Sequence, residues 1–147
     1  MKRLKELPEY IAPEDEIGMS EARLAVYTDV PDNELKKRYL TREAVDKYTV
    51  KWDTKNEAWI LPIRNPDSYD LIGWQEKGAR GRFFRNQPVG VKKSKTVFGV
   101  ETVVETEPLI VVESPLDAVR LSSLGYNAVA TFGAILSDDQ AKIIRRA

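Results

Sequence analysis

The sharpest pattern of apolar and polar positions lies in the last forty residues. Leu109-Ile110-Val111-Val112 is an unbroken apolar run of strand length, as expected for a parallel strand buried on both faces. Glu113 ends it. Ser114, Pro115 and Asp117 then take the N-cap, N1 and N3 positions of a capping-box pattern. The helix that follows is expected to bury Leu116, Val119 or the stem of Arg120, and Leu124, with Gly125 at C′. Residues 128–132 predict a second buried strand, and Ser137 with Gln140 forms another capping box for a helix reaching Arg146. Strand, helix, strand, helix predicts a right-handed βαβ crossover.

The pattern upstream is different. Residues 1–20 are acidic and punctuated by Pro8, Pro13 and Gly18, which reads as an arm or a short entry helix. A helix is expected over 21–27. Pro31 opens a second at N1, with Leu35, Tyr39 and Leu40 on one face. Thr41 is the expected N-cap of a third, with Ala44, Val45 and Tyr48 as its apolar stripe. The period then shortens. Val50 and Trp52, residues 58–63 and residues 71–74 read as strands, separated by turns at 53–56 and 65–68. Residues 77–95 read as a long basic loop with some extended structure. The expected class is an α+β N-terminal subdomain followed by a partial α/β unit with parallel strands, divided as 1–30, 31–107 and 108–147.

Charge adds a second division. The 147 residues hold 23 Lys+Arg and 23 Asp+Glu, a net of zero. Residues 1–35 carry 4 basic and 9 acidic side chains (−5), residues 36–95 carry 15 and 7 (+8), and residues 96–147 carry 4 and 7 (−3). A basic middle segment points to a polyanion partner, or to a solvated Lys/Arg face. The sequence has no cysteine and no histidine. That excludes a disulfide framework, a zinc finger, a Cys nucleophile and a Ser-His-Asp triad within it. Its start lacks the apolar core of a signal peptide and no stretch approaches a membrane span, so a cytoplasmic location and no membrane partner are expected.

Glu113 stands at the carboxyl end of a strand, and Asp117 in the first turn of the next helix. In open parallel sheets ligands bind at such ends. Two carboxylates there can hold a divalent cation or move a proton. Alternatively, Asp117 caps the helix and Glu113 is a solvated acid. Residues 77–95 hold seven basic side chains (Lys77, Arg80, Arg82, Arg85, Lys92, Lys93, Lys95) and no acid. Phe83 and Phe84 among them suit stacking of single-stranded nucleic acid or core packing; Trp74 is expected in the core.

The stretch LIVVESPLDAVRLSSLGYNAVATFG resembles the first half of a Toprim domain, with Glu113, Asp117-Ala118, Gly125 and Gly133 at its motif positions. Upstream, 38–48 resembles the "YL..RG...E.I..F" helix of bacterial and phage replicative DNA primases of the DnaG class. Leu61-Pro62-Ile63-Arg64-Asn65 is similar to their "FPIRD", and Leu71-Ile72-Gly73-Trp74 to "VIGF". Residues 82–88 are similar to "KYLNSP" with one residue inserted, and 93–100 to "KGxxLYGL". The similarity is collinear over about 36 to 147. It implies a primase-core fragment that makes RNA primers on single-stranded DNA by metal-dependent nucleotidyl transfer. Glu113 is then the metal ligand or general acid/base and Asp117 its orienting partner. Arg64, Arg82, Arg85, Lys93 and Lys95 contact template, nucleoside triphosphate or primer.

The implied cofactor is Mg²⁺ or Mn²⁺, with no zinc. Ser114 departs from the family's glycine after the catalytic Glu. The family's Asp-x-Asp strand has no counterpart, since Asp138-Asp139 has the wrong spacing and reads as complementing a helix dipole. A second chain supplying that half of the Toprim sheet is therefore an expected partner, as is a replicative helicase. Two other functions fit the same residues. One is a non-catalytic single-strand-binding accessory module. The other is another Toprim enzyme such as a nuclease, against which the primase-like upstream block argues.

Overall fold

Residues 51–87 hold short apolar runs of strand length separated by turns, and they form a sheet. In the computed structural model, which describes residues 18–81 and 83–147, β1 (Lys51–Asp53), β2 (Ala58–Arg64), β3 (Leu71–Gly78) and β4 (Phe84–Gln87) pair antiparallel in that order. Most of the expected acidic arm, and Arg82, lie outside the described residues. The basic stretch read as a loop contributes the end of β3, all of β4 and a 3₁₀ turn, Lys93–Lys95. Pro62 sits inside β2 without cost to the ladder. β1 reaches only as far as Ile60, so Pro62 has no neighbour on that side that needs its missing N–H.

Both faces of β2 are covered, which explains its unbroken apolar run. Trp59 and Leu61 point into the main core. Ile60 points the other way, onto Leu24, Leu71 and Trp74, with Met19 and Tyr27 packed beside them. The 3₁₀ helix Glu21–Val26 thus lies on the back of the sheet, and Trp74 is a core residue as expected.

The short helices α1 (Asp32–Lys37) and α2 (Arg42–Lys47) follow their start signals closely. Thr41 Oγ1 accepts the Ala44 N–H at 3.1 Å, a standard N-cap. Pro31 is the N-cap of α1 rather than its N1 residue. Their ends were not foreseen. After α1, the Leu40 N–H bonds the Leu35 carbonyl (3.0 Å) and the Tyr39 N–H that of Lys36 (3.2 Å). After α2, Val50 bonds Val45 and Thr49 bonds Asp46 in the same way, both at 3.0 Å. These are Schellman motifs, whose C′ residue is left-handed and usually glycine. Here it is Tyr39 (φ 59°) and Thr49 (φ 52°).

The second unit is β5 (Leu109–Val112), α3 (Pro115–Ser123), β6 (Asn127–Ala130) and α4 (Asp138–Arg146). β5 and β6 pair in parallel, Leu109 opposite Asn127 through Val112 opposite Ala130, as the βαβ pattern required. α3 ends in a third Schellman motif, this one with Gly125 at φ 97°. Its start differs from expectation: Ser114 makes no side-chain cap bond, and Pro115 alone marks the turn. Val119 is the buried residue and Arg120 is exposed. Leu124, expected inside, follows the last helical residue and is exposed. β6 is buried throughout, with β5 on one edge and Phe98 bridged to Ala130 on the other. β5, expected to be buried on both faces, is only half-buried, and Val111 is 41% exposed. Among the described residues no strand pairs with its outer edge.

One core joins the two units. Leu35, Leu40, Val45, Tyr48, Trp59 and Leu61 pack with Phe98, Leu116, Val119 and Ala128. Tyr48 stacks on Phe98 with ring centroids 5.3 Å apart, and its hydroxyl donates to the Ala128 carbonyl at 2.6 Å. Gly99 lets the chain pass this point. Its φ is 86°, and a Cβ there would lie 2.4 Å from Tyr48 Cε2.

Candidate nucleic-acid interface

The site is assembled where the sheet meets the carboxyl ends of β5 and β6. Glu113 follows β5 directly. Asp117, in the first turn of α3, is exposed like Glu113 and lines a cleft of about 390 Å³ shared with residues from α1 and the β3–β4 turn. Lys77, at the end of β3, faces Asp117 electrostatically. Partial burial lowers the Lys77 pKa, the positive charge of Arg38 lowers it further, and Asp117 opposes both. Lys77 is the cross-strand partner of Phe84. Lys93 lies over the Phe84 ring, with Nζ 5.2 Å from the centroid, and its pKa is also lowered by burial. The order in space is therefore Asp117, Lys77, Phe84, Lys93. Phe84 is 53% exposed, so its ring is available to a ligand.

Gln140 fixes the Lys93 end of this row. Its Oε1 accepts the Ser137 N–H (3.1 Å) and Ser137 Oγ accepts the Gln140 N–H (3.0 Å), which completes the capping box expected for α4. Its Nε2 reaches further, donating to the carbonyls of Thr131 (2.8 Å), Thr96 (3.0 Å) and Lys93 (3.3 Å). One buried amide thus holds the loop after β6 against the Lys93 turn.

Arg64, Arg85 and Lys95, also expected to bind ligand, have carboxylate partners. Arg64 grips Glu21 with two N–H donors and also donates to Thr49 Oγ1 at 2.9 Å. This pairing lowers the Glu21 pKa. The pKa of the partly buried Glu101 nearby is raised by desolvation against the pull of Arg64. Arg85 donates twice to the buried Glu76, at 2.7 and 3.1 Å. Glu76 also accepts from Trp74 Nε1 (3.1 Å) and Tyr27 (3.4 Å). Lys95 pairs with Asp139 at 3.0 Å. Among the described residues, Arg38, Lys77, Lys93 and Arg120 form no ion pair. Arg38 and Lys77 were not among the sequence candidates. The +8 segment contained them, but only the fold turns both toward Asp117.

The acids present are a weak cation site. Among the described residues no group of three His, Cys, Asp or Glu side chains is gathered closely enough to hold a metal ion. Glu113 and Asp117 are both open to water. This donor set does not by itself fit a divalent cation.

The architecture is a mixed α/β fold, an antiparallel sheet followed by a parallel βαβα unit that shares its core. It is the fold of DnaG-type primase catalytic cores. The DnaG primase catalytic domain bound to single-stranded DNA aligns with a TM-score of 0.68 at 18% identity, over 86% of this chain and 56% of that one. The DnaG catalytic core gives 0.61 at 20% identity, over 78% and 50%. The primase fragment of the bacteriophage T7 primase-helicase protein gives 0.55 at 17%, over 80% and 52%. The chain spans about half the length of each. No family model and no curated protein sequence matches it. Among the described residues no helix is long and apolar enough to cross a membrane.

Proposed function

We propose that this chain is the single-strand-binding part of a primase-type core, holding a DNA template and nucleoside triphosphate beside Glu113 for primer synthesis. The observation that carries this reading is a row of two cations that form no ion pair among the described residues, Lys77 and Lys93, around the exposed Phe84 ring, running from Asp117 on a primase-core fold. Exposed cations beside an aromatic face suit a phosphate backbone with unstacked bases. Lys77 and Lys93 bind phosphate, Phe84 takes a base, and Asp117 orients Lys77. Glu113 becomes a ligand for Mg²⁺ or Mn²⁺ only beside carboxylates from outside these residues, which the open edge of β5 is suited to receive as further strands. The helicase named with the T7 neighbour is a candidate partner on the same analogy.

The test is fluorescence anisotropy with a labelled oligothymidylate across a salt series. The wild-type protein is expected to bind with salt-sensitive affinity. Lys77→Ala with Lys93→Ala should reduce the log–log salt slope by about 1.4, roughly 0.7 per lost phosphate contact. An unchanged slope, or no binding by the wild type, overturns the reading.

A further inference from the structure

Two helices end in Schellman motifs without glycine, and the two exceptions differ in a telling way. Left-handed backbone is costly for a residue with a Cβ, so such a residue invites the question of what holds it there. Thr49 has an internal answer, since its hydroxyl receives the Arg64 guanidinium. Tyr39 has none. Its side chain is 71% exposed, and among the described residues its one ring contact is Arg120, whose guanidinium carbon lies 5.1 Å from the ring centroid. A large aromatic therefore stands in water at a position where the backbone favours glycine.

Its surroundings give the ring a use. Tyr39 lines the same cleft of about 390 Å³ as Asp117, together with Lys37, Arg38, Arg80 and Arg120. Arg80 is committed to Glu34, at 2.5 and 3.2 Å, and Lys37 reaches the same acid more loosely at 3.6 Å. Arg38 and Arg120 make no ion pair among the described residues. Arg120 lies one turn after Asp117 on α3 and backs the Tyr39 ring. An aromatic face with a guanidinium behind it and two further cations beside it matches a nucleobase and its phosphate.

We infer that Tyr39 and Arg120 form a stacking subsite at the mouth of the Asp117 cleft, taking one nucleobase while Arg38 and Lys37 hold its phosphate. The inference rests on the nucleic-acid reading above and adds a ligand position on the α1 side of Asp117, away from Phe84. The ligand is a nucleobase with its 5′ phosphate, either within a strand or as a free nucleoside triphosphate.

The experiment uses Tyr39→Gly and Tyr39→Phe in the full chain, titrated separately with labelled oligothymidylate and with a labelled nucleoside triphosphate, alongside thermal melts. Glycine suits the left-handed position, so Tyr39→Gly should hold or raise the melting temperature while weakening one ligand at least about fivefold. Tyr39→Phe should bind like the wild type. Selective loss of the oligonucleotide assigns the template to the subsite, and selective loss of the triphosphate assigns the incoming nucleotide. No loss with either ligand, or an equal loss in Tyr39→Phe, overturns the subsite. If the wild type binds neither ligand, the nucleic-acid reading itself has failed. If it binds and Tyr39→Gly binds equally well, only the subsite has failed.

Discussion

Lys77 and Lys93 are held below the usual lysine value of 10.5 because each is partly removed from water, and for Lys77 because Arg38 adds a like charge. A lowered pKa means that these ammonium groups lose their charge at a lower pH than ordinary lysines do. If they bind phosphate, single-strand affinity should begin to fall on the alkaline side earlier than free lysine titration would give. Lys77→Arg with Lys93→Arg should remove that fall, because guanidinium stays charged throughout. Anisotropy titrations at fixed salt from neutral pH upward check this. The same residue scale shows where sequence alone stops. Arg85 and Lys93 both lie in the +8 segment, yet Arg85 faces Glu76 because β3 and β4 pair in register, with those two residues opposite each other. Arg64 meets Glu21 across 43 residues. Which cations remain unpaired is decided by register and docking, and neither is written in local charge.

The starts of α2 and α4 were legible in the sequence because a cap is a local event, whereas Ser114 makes no cap bond at α3 and Pro31 stands one position earlier in α1 than expected. Thr41 and Ser137 bond to N–H groups three residues on, and both caps form as the sequence suggested. Helix ends were harder to read, since the usual marker is glycine and only Gly125 supplied it. The βαβ order was legible from two apolar runs around a Pro-initiated helix. The half-exposure of β5 was not, because a run of four apolar residues does not say whether both faces find cover. Gln140 shows the same boundary. Its capping role was readable, but its grip on Thr96 and Thr131 depends on α4 docking against the Lys93 turn. Gln140→Leu should cost on the order of 2–3 kcal/mol by leaving buried carbonyls without a donor. It should also weaken oligonucleotide binding, since the Lys93 turn loses its anchor. Gln140→Glu tests the same contact, because it keeps the size of the side chain and loses the donors. Urea unfolding and the anisotropy assay measure the two effects.

At the scale of the whole molecule, the boundary drawn near residue 107 marks a change of sheet rather than a change of core. Tyr48 crosses it with a stacked ring and a hydrogen bond, and Gly99 leaves room for that ring. Gly99→Ala should therefore destabilise the entire fold rather than one unit. The expected cost is on the order of 2–3 kcal/mol, from a forced steric overlap at a left-handed backbone position. Far-UV circular dichroism and tryptophan fluorescence should then show one shared transition at lower temperature. Two separate transitions would mean that the units are energetically independent.

That shared core also sets an order of events during synthesis. Leu35, Val45 and Trp59 leave the ribosome well before Leu116, Val119 and Ala128, the side chains that cover them. Until those arrive, the main-core face of the antiparallel sheet is covered only in part, by Leu35, Leu40 and Val45 of the α1 and α2 region, while Leu24 and its neighbours close its back face. The nascent chain therefore displays an apolar surface for as long as it takes to make the stretch between β4 and α3. Final closure depends on contacts that are distant in sequence, the slow kind to form. A chaperone that binds exposed apolar segments would find its target in that interval and lose it once α3 docks.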